Sequence, residues 1–75
     1  MDRIEFPQYA GDMPGVYDAN SYAISAGHPR VYGVTARIRL LDETYWWIDL
    51  FKRGKKVWEC NPTFFAAHFR LVEEK

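Results

Sequence analysis

The clearest pattern in the chain lies between Val34 and Leu40, where Val34, Ala36, Ile38 and Leu40 alternate with Thr35, Arg37 and Arg39. A period of two puts the apolar set on one side of an extended chain and the polar set on the other, so the stretch predicts a half-buried strand. Leu41-Asp42-Glu43-Thr44 follows as a turn, and Tyr45 to Phe51 predicts a second strand with faces Trp46, Ile48, Leu50 and Tyr45, Trp47, Asp49, Phe51. Both faces carry large apolar groups, which marks a central strand or one whose outer side meets a partner. The apolar faces of this hairpin meet only if Ile38 lies opposite or diagonal to Trp46 and Ala36 near Ile48; a slip of one residue would turn Arg37 and Arg39 into the core. The same register sets Arg37 and Arg39 beside Tyr45 and Trp47, with Asp49 in reach of a neighbouring arginine.

Lys52-Arg53-Gly54-Lys55 has the composition of a hairpin tip, read as a type I turn and bulge in which Gly54 takes the positive φ. Lys56 to Cys60 is the return strand. Asn61-Pro62-Thr63 is a helix start, with Asn61 as side-chain cap and Pro62 at the first helical position, where its missing N–H is of no consequence. The spacing of Phe64, Ala67 and His68, or of Phe65 and Phe69, predicts a short helix over 62–68, and Phe69 to Glu73 a last strand. Earlier in the chain the signal is weaker. Val16, Tyr17, Tyr22 and Ile24 suggest an irregular strand from Val16 to Ser25, broken by Asp18, Asn20 and Ser21, before a Gly27-His28-Pro29 turn. Pro7, Gly11, Pro14 and Gly15 make residues 1–15 an irregular arm. The expectation is a single domain over 1–75, its β-rich body spanning 16–75. It is mainly β (α+β), a small strongly bent antiparallel sheet or SH3-like barrel of four or five strands with one short helix near the C-terminus.

Composition sharpens this picture. With 75 residues the fold buries only about 60% of its unfolded surface, so the core is thin. Five Tyr, five Phe and three Trp exceed what such a core encloses, and some must lie outside, where Trp, Tyr and Arg anchor interfaces. The formal charge is zero but unevenly spread. Residues 1–29 hold four carboxylates against Arg3, and residues 30–56 hold seven basic groups against three acidic ones. One cysteine and no apolar leader point to a reducing cytoplasm, and no apolar run nears the roughly 20 residues that span a bilayer.

Catalytic and metal motifs are weak. Cys60, His28 and His68 offer three ligands without the paired short spacing zinc requires, so no metal or other cofactor is expected. A Cys60–His68 nucleophile pair lacks an orienting third group, and Cys60 reads better as a small buried hydrophobe. The five glycines form no phosphate loop, and the pairs Asp42-Glu43 and Glu73-Glu74 sit on a turn and near a terminus. No enzymatic activity is expected.

Trp58, Cys60, Pro62, Phe65, Phe69 and Val72, after a Trp-Ile strand and a Lys-Arg-Gly-Lys tip, resemble the ending of a group of small tailed-phage and prophage accessory proteins. The resemblance covers residues 45–72 and implies a phage origin in a bacterial host. Proteins of that kind often bind and inhibit host machinery, anti-CRISPR proteins among them. The leading expectation is therefore a protein-binding module that occludes a host protein or complex through Arg37, Arg39, Tyr45, Trp47, Phe51 and Arg53, a homodimer being the self-associating version of the same surface. The alternative is a small nucleic-acid-binding barrel using Lys52, Arg53, Lys55 and Lys56 on phosphates and the neighbouring aromatics for stacking.

Overall fold

The computed structural model describes residues 4–20 and 31–73. Six strands and one helix follow in chain order: β1 (Gly11–Asp12), β2 (Val16–Ala19), β3 (Thr35–Leu41), β4 (Tyr45–Lys52), β5 (Lys55–Cys60), α1 (Pro62–His68) and β6 (Phe69–Glu73). β1, β3, β4 and β5 form a four-stranded antiparallel sheet in that order, and β2 pairs antiparallel with β6 in a second sheet. Residues 31–36 join the two. Tyr17 and Val34 exchange backbone hydrogen bonds at 2.8 and 3.0 Å, Met13 donates to Ala36 at 2.9 Å, and Ala19 donates to Val31 at 2.9 Å. The fold is mainly β with one short C-terminal helix, as expected. Among the described residues no closed barrel forms: β5 pairs only with β4, and β6 only with β2.

The β3–β4 register sets Ala36 opposite Leu50, Ile38 opposite Ile48 and Leu40 opposite Trp46, so Ile38 is diagonal to Trp46 and Ala36 diagonal to Ile48. Ala36, Ile38, Ile48 and Leu50 are buried with Met13, Tyr17, Val34, Phe65, Phe69 and Leu71 in one core. Aromatic edges organise its centre. Phe65 meets Tyr17 edge-on at 4.9 Å between centroids and stacks on Phe69 at 4.9 Å, geometries that suit the ring quadrupoles. Cys60, Phe65 and Phe69 thus form the seam between helix and sheet.

The helix occupies 62–68 with Pro62 in its first turn, and Asn61 Oδ1 accepts the Phe64 N–H at 2.7 Å. This is the N-cap arrangement that Asn-Pro predicts. Its other end is held by Asn20, the residue that follows β2. The Asn20 backbone N–H donates to the His68 carbonyl and the Asn20 side chain to the Ala67 carbonyl, both at 2.9 Å, satisfying groups a helix end leaves open.

Three expectations change. The arm over 1–15 is not irregular throughout, because Gly11 and Asp12 pair with Ile38 and Arg37, and Met13 is buried. Two residues are too few to show a period. The tip at Lys52–Lys55 is a two-residue loop in which Arg53 (φ 53°) and Gly54 (φ 79°) both take positive φ, not a type I turn and bulge. Paired positive φ matches the right-handed twist of the flanking strands. The early strand is regular only over Val16–Ala19; the Gly27-His28-Pro29 turn and Tyr22 to Ser25 lie outside the described residues.

Candidate functional site

Parity of the strands builds one continuous outer face. Opposite the core-facing residues, Arg37 stands across from Asp49, Arg39 from Trp47, Leu41 from Tyr45 and Thr35 from Phe51. On the far side Asp49 meets Glu59 and Phe51 meets Lys56, after a register shift between Leu50 and Phe51. The shift accommodates the extra residue Val57, which is exposed. β1 completes the face with Asp12 across from Arg37.

An ion lattice occupies its middle. Arg39 Nε donates to Asp49 Oδ2 at 2.8 Å and its Nη2 reaches Oδ1 at 3.5 Å. Lys56 Nζ lies 3.4 Å from Asp49 Oδ1 and 2.6 Å from Glu59 Oε2, and Arg37 is 3.7 Å from Asp12. The Trp47 indole N–H donates to Glu59 Oε1 at 3.1 Å. Asp49 is buried at 7% exposure although it points away from the core, covered by the side chains it binds. These contacts raise the pKa of Arg39, chiefly through its hydrogen bond to Asp49, and that of Lys56, chiefly through Glu59. Lys56 first and the Trp47 indole second hold Glu59 below the ordinary carboxylate value.

Arg37, Arg39, Tyr45, Trp47 and Phe51 therefore share one face. Tyr45 is half-exposed, while Trp47 and Phe51 are partly buried among neighbours. Arg53 sits apart in the tip with Lys52 and Lys55, all exposed and forming no ion pair among the described residues. Lys56, grouped with them on sequence, belongs to the lattice instead. Sequence reasoning named Asp49 as an arginine partner but missed Asp12 and Glu59. Only their register against Arg37 and Asp49 reveals them.

The Cys60 thiol is pushed up to about 12, mainly by burial and further by the charges of Asp49 and Glu59. That is the direction opposite to an activated nucleophile. The His68 ring packs on Phe64 at 4.2 Å between centroids. Among the described residues no three His, Cys, Asp or Glu side chains converge as a metal site, and no helix is long and apolar enough to cross a membrane. Two concavities border the outer face. One of about 260 Å³ lies at its β1 end among Asp12, Met13, Thr35, Ala36, Arg37, Phe51 and Gly54. The other, of about 230 Å³, lies where β5 enters α1.

Comparison with protein-family models, with curated proteins and with solved structures finds no match for this chain.

Proposed function

We propose that this is a small protein-binding module that acts by covering a surface of a partner protein, in the cytoplasm of a bacterial host and in the manner of phage-encoded inhibitors of host complexes. The observation that carries the reading is the internal pairing of the outer face. Arg37, Arg39 and Lys56 are matched by Asp12, Asp49 and Glu59, so the face is locally neutral and its aromatic groups, Tyr45, Trp47 and Phe51, stand in a preorganised polar frame. Neutral polar frames around aromatic anchors suit protein partners. Phosphate recognition needs cations free to displace counterions, and among the described residues of the four-stranded sheet the cations outside the ion pairs are Lys52, Arg53 and Lys55 at one tip.

Affinity capture from bacterial lysate, with and without nuclease, by the wild type and by Trp47→Ala in parallel tests the reading. The expected result is a stoichiometric protein that survives nuclease and is lost with Trp47→Ala, a weakening of about 2 kcal/mol or more. Capture abolished by nuclease, steeply dependent on salt and relieved by Lys52, Arg53 and Lys55 substitutions would instead establish nucleic-acid binding through the tip.

A further inference from the structure

The main sheet keeps its full width over only part of its length. β1 pairs with β3 at Arg37 and Ile38 alone, and the β5 ladder reaches β4 no further than Ile48. Beyond those positions residues 39–41 and 45–47 pair with each other and, among the described residues, with no third strand. The end of the β3–β4 hairpin is therefore a two-stranded ribbon that runs on past both neighbours. Both of its faces are short of cover. Leu40, on the inner parity, is 47% exposed, and Tyr45, on the outer parity, is 52% exposed. Their cross-strand partners Trp46 and Leu41 are partly exposed.

The apex of the ribbon is acidic, opposite in sign to the tip at the other end of β4. Asp42 and Glu43 are exposed and enter no ion pair among the described residues. The Thr44 N–H donates to the Leu41 carbonyl at 3.1 Å across the turn, and Asp42 and Glu43 take positive φ of 52° and 62°. Asn and Gly adopt that conformation more readily, so turn chemistry does not account for the two acids. Apolar groups on two faces beneath a doubly negative apex restrict what can cover them. A phosphate backbone or an anionic bilayer is repelled by the apex. A protein cleft with apolar walls and cations at its rim satisfies both features. A second copy fits poorly, because its unpaired cations Lys52, Arg53 and Lys55 stand on an exposed hairpin tip and the concavity beside that tip is lined by the exposed carboxylate of Asp12.

We propose that the end of the β3–β4 hairpin inserts into an apolar cleft of the partner protein, with Leu40 and Tyr45 against opposite walls and Asp42 and Glu43 paired with lysines at its rim. At an exposed rim the strongly hydrated ammonium of lysine is the fitting cation, arginine being favoured where the pair is buried. The inference rests on the protein-binding reading, shares Tyr45 with the face described there, and names the chemistry the partner must present.

A water-soluble carbodiimide, which joins a carboxylate to a lysine amine only where the two are in contact, is the probe that tests it. Applied to the full chain bound to the protein it captures from bacterial lysate, the reagent is expected to give amide crosslinks from Asp42 or Glu43 to lysines of that protein, located by peptide mass spectrometry. Asp42→Asn combined with Glu43→Gly suits the turn and removes its charge, so it is expected to raise the melting temperature while weakening capture about tenfold or more. Leu40→Ser is expected to weaken capture about threefold or more with a melting curve close to wild type. Undiminished capture by the Asp42→Asn, Glu43→Gly variant, or crosslinks confined to other carboxylates, overturns the proposal. Crosslinks from Asp42 or Glu43 to Lys52 or Lys55 of a second copy would make the occupant this chain itself and overturn the foreign partner. The two readings fail separately: protein capture that depends on Trp47 and not on the apex removes only the inserted hairpin, whereas capture that is absent or lost to nuclease removes protein binding and the insertion with it.

Discussion

The two faces of the β3–β4–β5 sheet share every backbone atom and differ only in which alternate side chains they present. The inner face is closed by Ala36, Ile38, Ile48, Leu50 and Cys60, none more than 6% exposed, packed against rings from β2, α1 and β6. The outer face also buries a residue, Asp49, yet what covers it is a set of long, half-exposed cations and an indole network. Burial alone therefore does not separate core from surface in a domain this small. What separates them is whether the covering atoms are themselves held by a second layer. Inner groups gain hydrophobic stabilisation that charge screening leaves alone. Exposed ion pairs contribute modestly and are screened.

That difference sets the order of the expected effects. Ile48→Ala, at a fully enclosed site, is expected to cost about 2–5 kcal/mol in chemical denaturation, independent of salt. A much smaller loss would mean that the inner face relaxes like the outer one. Trp47→Ala on the adjacent strand position is expected to cost folding about 1 kcal/mol or less while abolishing partner capture; unfolding instead would make the outer face part of the core. Leu40→Ser sharpens where the inner face ends. Leu40 keeps the core-facing parity of Ile38 but is 47% exposed opposite Trp46, so its loss is expected to stay within about 0.5 kcal/mol.

The smallest effect is a pH dependence. Glu59 has its folded-state pKa held below the ordinary 4.5, so its contribution is present above that value and is lost as pH falls through the folded value. Denaturation midpoints of wild type and Glu59→Gln should diverge near neutral pH and converge in acid. Parallel curves over that range would show that the lattice does not report on folding.

Strands and helix were legible because each has a local signature. Alternation from Val34 to Leu40 gave β3, the Asn61-Pro62 start gave α1, and the apolar residues of β4 selected the register against β3 by requiring Ile38 opposite or diagonal to Trp46 and Ala36 near Ile48, which the Ile38–Ile48 and Ala36–Leu50 pairs meet as diagonals. The shared face of Arg37, Arg39, Tyr45, Trp47 and Phe51 followed from the same parity. What stayed hidden depends on segments distant in sequence. Asp12 becomes a partner of Arg37 only because two residues of β1 add to the edge of β3, and Asn20 serves α1 only because β2 lies beside β6. The tip conformation escaped because Arg53 takes a positive φ that its residue type disfavours, and the twist of the hairpin decides the matter.

The pairing of β2 with β6 has a consequence for synthesis. Val16 and Tyr17 find ladder partners in Glu73 and Leu71, and the open end of α1 is satisfied by Asn20. The early strand is made long before its mate, so while the β3–β4 and β4–β5 hairpins close between neighbours in sequence, Tyr17 and Ala19 must wait for β6. Loop-closure entropy makes such distant pairings late and slow. Until β6 docks, that edge of β2 lacks its ladder partner and is open to misplaced strand pairing.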